Sequence, residues 1–425
     1  MFLLKVLLVV VVASAGAVPA AAVARTAGQP VEYGLSEPNL DVLFAPGGAR
    51  LGAYSRIFNQ VADPLPAVDG GAGWPGIKWL RLVVPYDLHP GQPLTGDPGT
   101  DAPRAANMAR LAAFVRTLQT HPRLKGMISF MGHGYATDCV AVHPIAYSAG
   151  QPISELPAEC GYPESAAVYG QYFNEWLRWN NSLPKPLIRA WAPWNEPDLG
   201  GFVFGHMPAE EAAPLLASYW QEAYAAAQID GLAHGRVPDV VTAGEMSEYG
   251  RLAGLYVDEV VNGPAKPKDW SIHAYDDLLP QPDRTTTLVD FQDRLQQLAD
   301  AGRISQDFQL WVTEIGAKIF AGTRGGVSKG TGLAGRPDSQ YRAGQEIVQL
   351  KRRLQHLKVL IYYQLVMGAV NPAFDSAIAD AAGLPRPVLC GIQGLARSGC
   401  TGVERNPPGP QLDQPLTGRQ PFLGG

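Results

Sequence analysis

Two glutamates stand where apolar runs stop. In Ile188-Arg-Ala-Trp-Ala-Pro-Trp-Asn-Glu-Pro-Asp198 an apolar segment breaks off at Asn195-Glu196-Pro197. Pro197 cannot continue a strand ladder, so Glu196 is expected at the carboxyl end of that strand. In Phe308-Gln-Leu-Trp-Val-Thr-Glu-Ile-Gly316 a continuous apolar run reaches Thr313-Glu314. A carboxylate at the end of a buried strand is costly unless it is paired or used. Trp191 and Trp194 lie beside Glu196, and an apolar aromatic setting favours a carboxyl group that has to hold a proton. Two such groups facing one bond, one giving a proton and one attacking, can carry out acid-assisted displacement. About 5–5.5 Å between them suits a covalent intermediate, and about 6.5–9.5 Å leaves room for a water.

Those residues need a frame. From about Val31 onward short apolar runs alternate with helical patterns, as in a parallel sheet with helices outside it. Strands are predicted at 33–36, 77–85, 126–131, 188–193, 240–243, 270–274, 310–313 and 360–365, eight in all. Met108, Leu111, Ala112, Val115 and Leu118 fall at helical spacing, as do Leu288, Phe291, Leu295 and Leu298. Pro208 followed by Glu210 and Glu211 marks a helix start that runs on through Leu215, Tyr219, Trp220, Ala223 and Ala227. No G-x-G-x-x-G follows the first strand, which counts against an open dinucleotide-binding sheet. The fold class predicted is α/β, a (β/α)8 TIM barrel forming one catalytic domain over 31–398. Catalytic side chains are then expected at the carboxyl ends of the strands. Glu196 falls on the fourth strand and Glu314 on the seventh.

The 425 residues carry a formal net charge of −5, with 46% hydrophobic and 17% charged residues. No basic stripe is present, which argues against nucleic acid as a partner. Residues 1–24 have the pattern of an export signal. Lys5 precedes an apolar stretch, and Ala22-Val23-Ala24 or Ala20-Ala21-Ala22 offers a cleavage site. The apolar run is short for a membrane span, so integral membrane contact is not expected. A secreted, extracellular chain suits its four cysteines. They allow three pairings, of which Cys139–Cys160 and Cys390–Cys400 are the simplest, as disulfide staples on long loops. No C-x-x-C or H-E-x-x-H is present, and neither a metal nor a cofactor is expected. Residues 399–425 read as a Pro/Gly-rich C-terminal tail.

Asn195-Glu196-Pro197 after an apolar strand, with Glu314 ending a later one, resembles the clan A retaining glycoside hydrolases, the cellulase-like and β-xylosidase-like enzymes. The resemblance covers roughly residues 31–364. It implies Glu196 as acid/base, Glu314 as nucleophile and a carbohydrate substrate. It further implies that Arg81, in Trp79-Leu-Arg-Leu-Val, holds the nucleophile ionised, and that Asn195 bonds a sugar 2-hydroxyl. His273 and Tyr275 correspond to a pair after the sixth strand, the tyrosine touching the nucleophile. His133 is a sugar contact by the same likeness. Many members end the eighth strand with a tryptophan platform. Here the segment is Tyr362-Tyr363-Gln364, so either Tyr363 with Gln364 fills that place or a loop does. Trp194 is a further platform candidate. Glu245 and Glu248 after the fifth strand, and Glu37 and Asp87 after the first two, are rival carboxylates, read as hydroxyl-binding or solvated loop groups.

The function expected is hydrolysis of O-glycosidic, β-type bonds of a polysaccharide or glycoside by a secreted monomer. The alternatives are a transglycosylase or a non-catalytic carbohydrate-binding barrel on the same fold, or a structural wall protein with an unused cleft.

Overall fold

The computed structural model describes residues 30–37, 49–66, 73–93, 98–132, 162–163, 165–199, 204, 207–278, 287–317, 320–321, 337–366, 374–380 and 382–402. The chain divides into Met1–Pro30 and Val31–Gly425, and the fold below is that of the second unit. The expected signal peptide, the Cys139–Cys160 pair and His133 lie outside the described residues.

Eight barrel strands alternate with eight helices among the described residues, and Phe320–Ala321 pairs with Phe374–Asp375 in a separate antiparallel sheet. The strands are β1 (Glu32–Ser36), β2 (Ile77–Pro85), β3 (Lys125–Met131), β4 (Ile188–Ala192), β5 in two segments (Val240–Val241 and Ala243–Met246), β6 (Asp269–His273), β7 (Gln309–Ile315) and β8 (Leu357–Tyr363). The helices are α1 (Ala49–Ala62), α2 (Pro98–Thr120), α3 (Ala166–Ser182), α4 (Ala209–Ala233), α5 (Arg251–Asn262), α6 (Thr287–Asp300), α7 (Pro337–Arg353) and α8 (Pro387–Gln393). Each strand is parallel to its neighbours, and β1 pairs with β8 as well as β2. The first segment of β5 pairs with β4 and the second with β6, so this one strand closes the ring. The architecture is the expected (β/α)8 barrel.

Two cores result. Inside the ring, Trp79, Met127, Ala190, Ala192, Trp311, Val359 and Ile361 form a small cluster. The Trp79 and Trp311 rings meet edge-on at 4.9 Å. Their indole N–H groups donate to Glu32 and Asp269, the first residues of β1 and β6, at 2.7 Å each. The amino-terminal end of the barrel is thus plugged by aromatic rings whose polar atoms are satisfied. The larger core lies between sheet and helices. In α6 the expected stripe Leu288, Phe291, Leu295 and Leu298 is buried. In α2 the buried face is offset from the expected one. Leu111, Phe114 and Leu118 are buried while Ala112 is exposed, because the larger ring and branched side chains remove more apolar area from water. Helix α4 begins at Ala209 behind Pro208, with Glu210 and Glu211 in its first turn, as expected.

The register shifts at several points in the sheet, and two of the shifts fall at strand-end glutamates. In β7, Val312 pairs with Ile272 and Glu314 with His273, so Thr313 is skipped. In β5, Gly244 pairs with Ser271 and Met246 with Ile272, so Glu245 is skipped. Such bulges reverse the in–out alternation and re-aim a side chain. Gly244 has φ +131, and a Cβ there would stand 1.9 Å from the Ser271 carbonyl oxygen.

Cys390 in α8 is bonded to Cys400, closing a ten-residue separation. The amide of Gly402 then donates to Pro385 O at 2.8 Å. The expected tail boundary at residue 399 therefore falls inside a closed and packed loop.

The bulge in β5 makes a direct prediction. Gly244→Ala places a side chain on backbone atoms and demands a conformation restricted to glycine, and it is expected to destabilise the barrel by about 3 kcal/mol. The urea midpoint of the variant against wild type measures this, and an unchanged midpoint would rule the strain out.

Candidate active site

The carboxyl ends of the strands converge on one guanidinium. Arg81 lies two residues beyond Trp79 on β2 and shares its inward face, one layer above the aromatic plug. It has no exposed surface. Its Nε donates to Ser129 Oγ at 2.9 Å and to Glu245 Oε1 at 3.1 Å. Its Nη2 donates to Asn195 Oδ1 at 2.6 Å and to Glu245 Oε2 at 2.8 Å. Its Nη1 donates to Ser36 Oγ at 3.1 Å and forms a short contact with Glu314 Oε1. One side chain from β2 thereby touches groups at the ends of β1, β3, β4, β5 and β7. Burial alone would make the guanidinium easier to deprotonate, but Glu245 and Glu314 outweigh it and hold it charged.

Glu314 is bonded on both oxygens. Oε1 faces Arg81, and Oε2 accepts the Tyr275 hydroxyl at 2.7 Å. The Tyr275 phenol is pushed well above its ordinary value by burial and by the neighbouring Glu314 charge, so it stays a donor. Glu196 stands across the mouth on the turn after β4. His273 Nδ1 contacts Glu196 Oε1 at 2.9 Å and lies 3.7 Å from Glu314 Oε2. One carboxylate oxygen of Glu196, one of Glu314 and a ring nitrogen of His273 all lie within 4.8 Å of one another. Glu196 Oε2 and His273 Nε2 are buried and have no partner among the described residues.

Glu196 adopts φ +43 and Glu245 φ +68, both left-handed and unusual for a residue with a side chain. The Glu196 amide donates to the Glu245 carbonyl at 2.9 Å, so the two strained residues hold one another. Asp198 accepts the amides of Ser247 at 2.7 Å and Glu248 at 3.1 Å, tying the turn after β4 to the turn after β5. Burial pushes the Asp198 carboxyl up to about 6.

Of the residues singled out from sequence, Arg81, Asn195, Glu196, His273, Tyr275 and Glu314 come together. Asn195 gives its oxygen to Arg81, which leaves its amide N–H groups for another acceptor. Tyr363 is buried at the end of β8, its ring edge-on to Tyr275 at 6.2 Å. Gln364 is buried, and its carbonyl accepts the Ile378 amide at 3.0 Å. Trp194 turns away into packing. It is 4% exposed, against Tyr86, Phe204 and Tyr219.

Glu245 corrects the reading of it as a hydroxyl-binding or solvated group. It is fully buried and paired with Arg81 through both oxygens. Burial raises its carboxyl, but Arg81 and then His273 outweigh that and hold it below its ordinary value, ionised. Its partner Arg81 is 164 positions away, and no local pattern announces the pairing. Glu37 is also buried. Its Oε2 accepts the amides of Leu365 at 2.7 Å and Val366 at 3.1 Å, pinning the turn after β8. Glu248 is exposed, as a solvated loop residue would be. The Glu196–His273–Glu314 triangle has the donor types to hold a cation. Within it Glu196 Oε1 is in contact with His273, and Glu314 is bonded to Tyr275 and to the positively charged Arg81.

No protein-family model matches the chain, and no curated protein matches it. Solved structures do align with it. A conserved exported protein from Bacteroides fragilis covers 80% of this chain and 70% of its own length at 11% identity, with a TM-score of 0.49. The GH53 catalytic domain from Ignisphaera aggregans covers 86% and 97% at 13% identity, with a TM-score of 0.49. A glycoside hydrolase family 5 enzyme from Prevotella bryantii B14 covers 85% and 95% at 14% identity, with a TM-score of 0.42. At these scores the likeness assigns no role to any residue, and the chemistry rests on the site itself.

His273 links the site to stability through pH. Burial pulls its imidazole down, but Glu314 and then Glu196 pull harder, and its folded value lies above the ordinary 6.5. A raised histidine stabilises the fold fully below its unfolded value, and the stabilisation is lost as pH rises through the folded value. The unfolding free energy of wild type minus that of His273→Asn is therefore expected to decline as pH climbs above 6.5. Parallel urea titrations from pH 5.5 upward measure the difference, and a gap constant with pH would contradict the linkage.

Proposed function

We propose that the protein is a secreted glycoside hydrolase that cleaves β-type O-glycosidic bonds of a glycoside or polysaccharide with retention of configuration. The observation that carries this reading is the pair of carboxylates from β4 and β7, with an oxygen of each within 4.8 Å of the other and of His273. Two carboxyl groups that close can act on one bond, one attacking while the other protonates.

Glu314 is the nucleophile. Arg81 and Tyr275 orient it through two donors, while lone pairs remain for attack. Glu196 is the acid/base. His273 holds Oε1, and Oε2 is the oxygen left for the proton that moves. In the first step a Glu314 oxygen forms a bond to the anomeric carbon. The bond from that carbon to the leaving oxygen breaks, and the leaving oxygen takes the proton of Glu196. In the second step Glu196 accepts a proton from water, the water oxygen bonds the anomeric carbon, and Glu314 departs as a carboxylate. The free amide of Asn195 is placed to donate to a sugar hydroxyl, the contact that strengthens as charge grows on the ring.

The test uses the purified protein on a panel of aryl glycosides and polysaccharides, with the product anomer followed by NMR. Wild type should turn over at least one substrate and release the β-anomer first. Glu314→Ala should lose activity by roughly 1000-fold or more while remaining folded. Glu196→Ala should lose far more on poor leaving groups than on activated aryl glycosides, which depart with little protonation. Added azide should restore turnover of that variant and yield a β-glycosyl azide. An inverted product, or a mechanism-based fluoroglycoside that labels another carboxylate, would sink the assignment. Transfer to a sugar acceptor in preference to water would make the protein a transglycosylase. Binding of oligosaccharide with no turnover would make it a binding barrel.

A further inference from the structure

We infer that Glu245 is a positioning residue of this active site, one that sets both carboxylates of the proposed displacement through two different parts of itself. The inference rests on the hydrolase reading above. The side chain of Glu245 takes two of the three nitrogens of Arg81, Nε at 3.1 Å and Nη2 at 2.8 Å. A guanidinium gripped along that edge cannot rotate, and its remaining nitrogen, Nη1, is presented to Glu314. The main chain of Glu245 acts on the other carboxylate. Its carbonyl accepts the Glu196 amide at 2.9 Å and so holds the left-handed turn from which the Glu196 side chain reaches the mouth.

Charge makes this more than a brace. One guanidinium stands between two carboxylates, Glu245 and Glu314, with no solvent around it. Glu245 therefore cancels part of the positive charge that would otherwise fall on Glu314 alone. A nucleophile facing the whole charge would be held more firmly as a bound anion and would give up its lone pair less readily. The other groups that face Glu245 do not replace it. Ser129 on β3 is neutral, and Asn195 and Glu196 come from the end of β4. His273 on β6 adds positive charge, and Glu314 on β7 is the group being tuned. The local backbone serves this placement. The bulge at Glu245 turns its side chain inward, and Gly244 permits the bulge.

The experiment compares wild type, Glu245→Gln and Glu245→Asp on an activated aryl glycoside across pH, with thermal melts as a control for folding. Glu245→Gln keeps the shape and removes the charge. Its kcat should fall roughly 100-fold with KM changed little, as expected for misplacement of a reacting group. The acidic limb of its kcat/KM profile should move to lower pH, because the Arg81 charge is then no longer shared with Glu245. Glu245→Asp keeps the charge and shortens the reach. It should lose kcat while its acidic limb stays at the wild-type pH. A role in folding alone would lower the melting temperature and the fraction of titratable sites and leave the limb of both variants in place. That result would overturn the inference. If Glu245→Gln does not fold, the aspartate variant decides, and a displaced limb or an undiminished kcat there overturns it. An active wild type whose profile Glu245→Gln reproduces would overturn this role alone. A wild type inactive on every glycoside would overturn the hydrolase reading and this role with it.

Discussion

A positive charge with no access to water has to be cancelled where it stands, and in this barrel that charge is Arg81. Removing an ion from water costs several kcal/mol even after relaxation, and the cost is recovered only with well-placed partners on every donor. All three nitrogens of Arg81 have them, two carboxylates, two hydroxyls and an amide oxygen, from five other strand ends. The requirement runs in both directions. Glu245 and Glu314 are buried carboxylates that would be intolerable without the guanidinium, and breaking such a pair costs about 3–5 kcal/mol because it strands the survivor. The same bonds that make the charge tolerable fix where Glu314 stands.

Everything around this centre is arranged to deliver side chains to it at unusual angles. Regular alternation on β7 would turn Thr313 inward with Trp311 and leave Glu314 facing the helices. One skipped residue reverses that. The same device on β5 brings in Glu245, with a glycine ahead of it that no other residue replaces without a clash. Glu196 reaches the mouth from a left-handed turn held by an amide bond to Glu245. Each of these costs conformational energy, about 1–3 kcal/mol for a strained residue, and the surrounding barrel has to over-determine it.

The barrel can do so because its other end is closed and paired. Trp79 and Trp311 fill the interior below Arg81, and their N–H groups are taken by Glu32 and Asp269. Lys78 adds a bond to Glu32 at 3.1 Å, and Lys358 one to Asp269 at 3.1 Å. The aromatic plug lies at the amino ends of the strands and the buried carboxylates at the carboxyl ends, a separation that parallel strands allow because all their like ends meet on one face.

The amino-acid sequence by itself determined the alternation of strands and helices, the closed barrel, and the two glutamates at strand ends. Those features depend on local signals: apolar periodicity, a proline that stops a ladder, acidic residues at a helix start. The family resemblance carried by Asn195-Glu196-Pro197 and Glu314 also implied roles for Arg81, His273 and Tyr275, which the fold brings together. What the sequence left open was decided by contacts between residues far apart. Trp194 resembled a sugar platform, yet its ring packs against Tyr86, Phe204 and Tyr219, because only the folded arrangement says which face of that turn is covered. Glu37 resembled a loop carboxylate, yet it holds two amides of the turn after β8, more than 300 residues away. Glu245 resembled one among several acids, yet it lies against Arg81 with no exposed surface. For Glu245 a bulge is the physical reason. It shifts every later side chain to the opposite face through a change of register with the neighbouring strand, and register belongs to the pair of strands, so neither segment shows it alone.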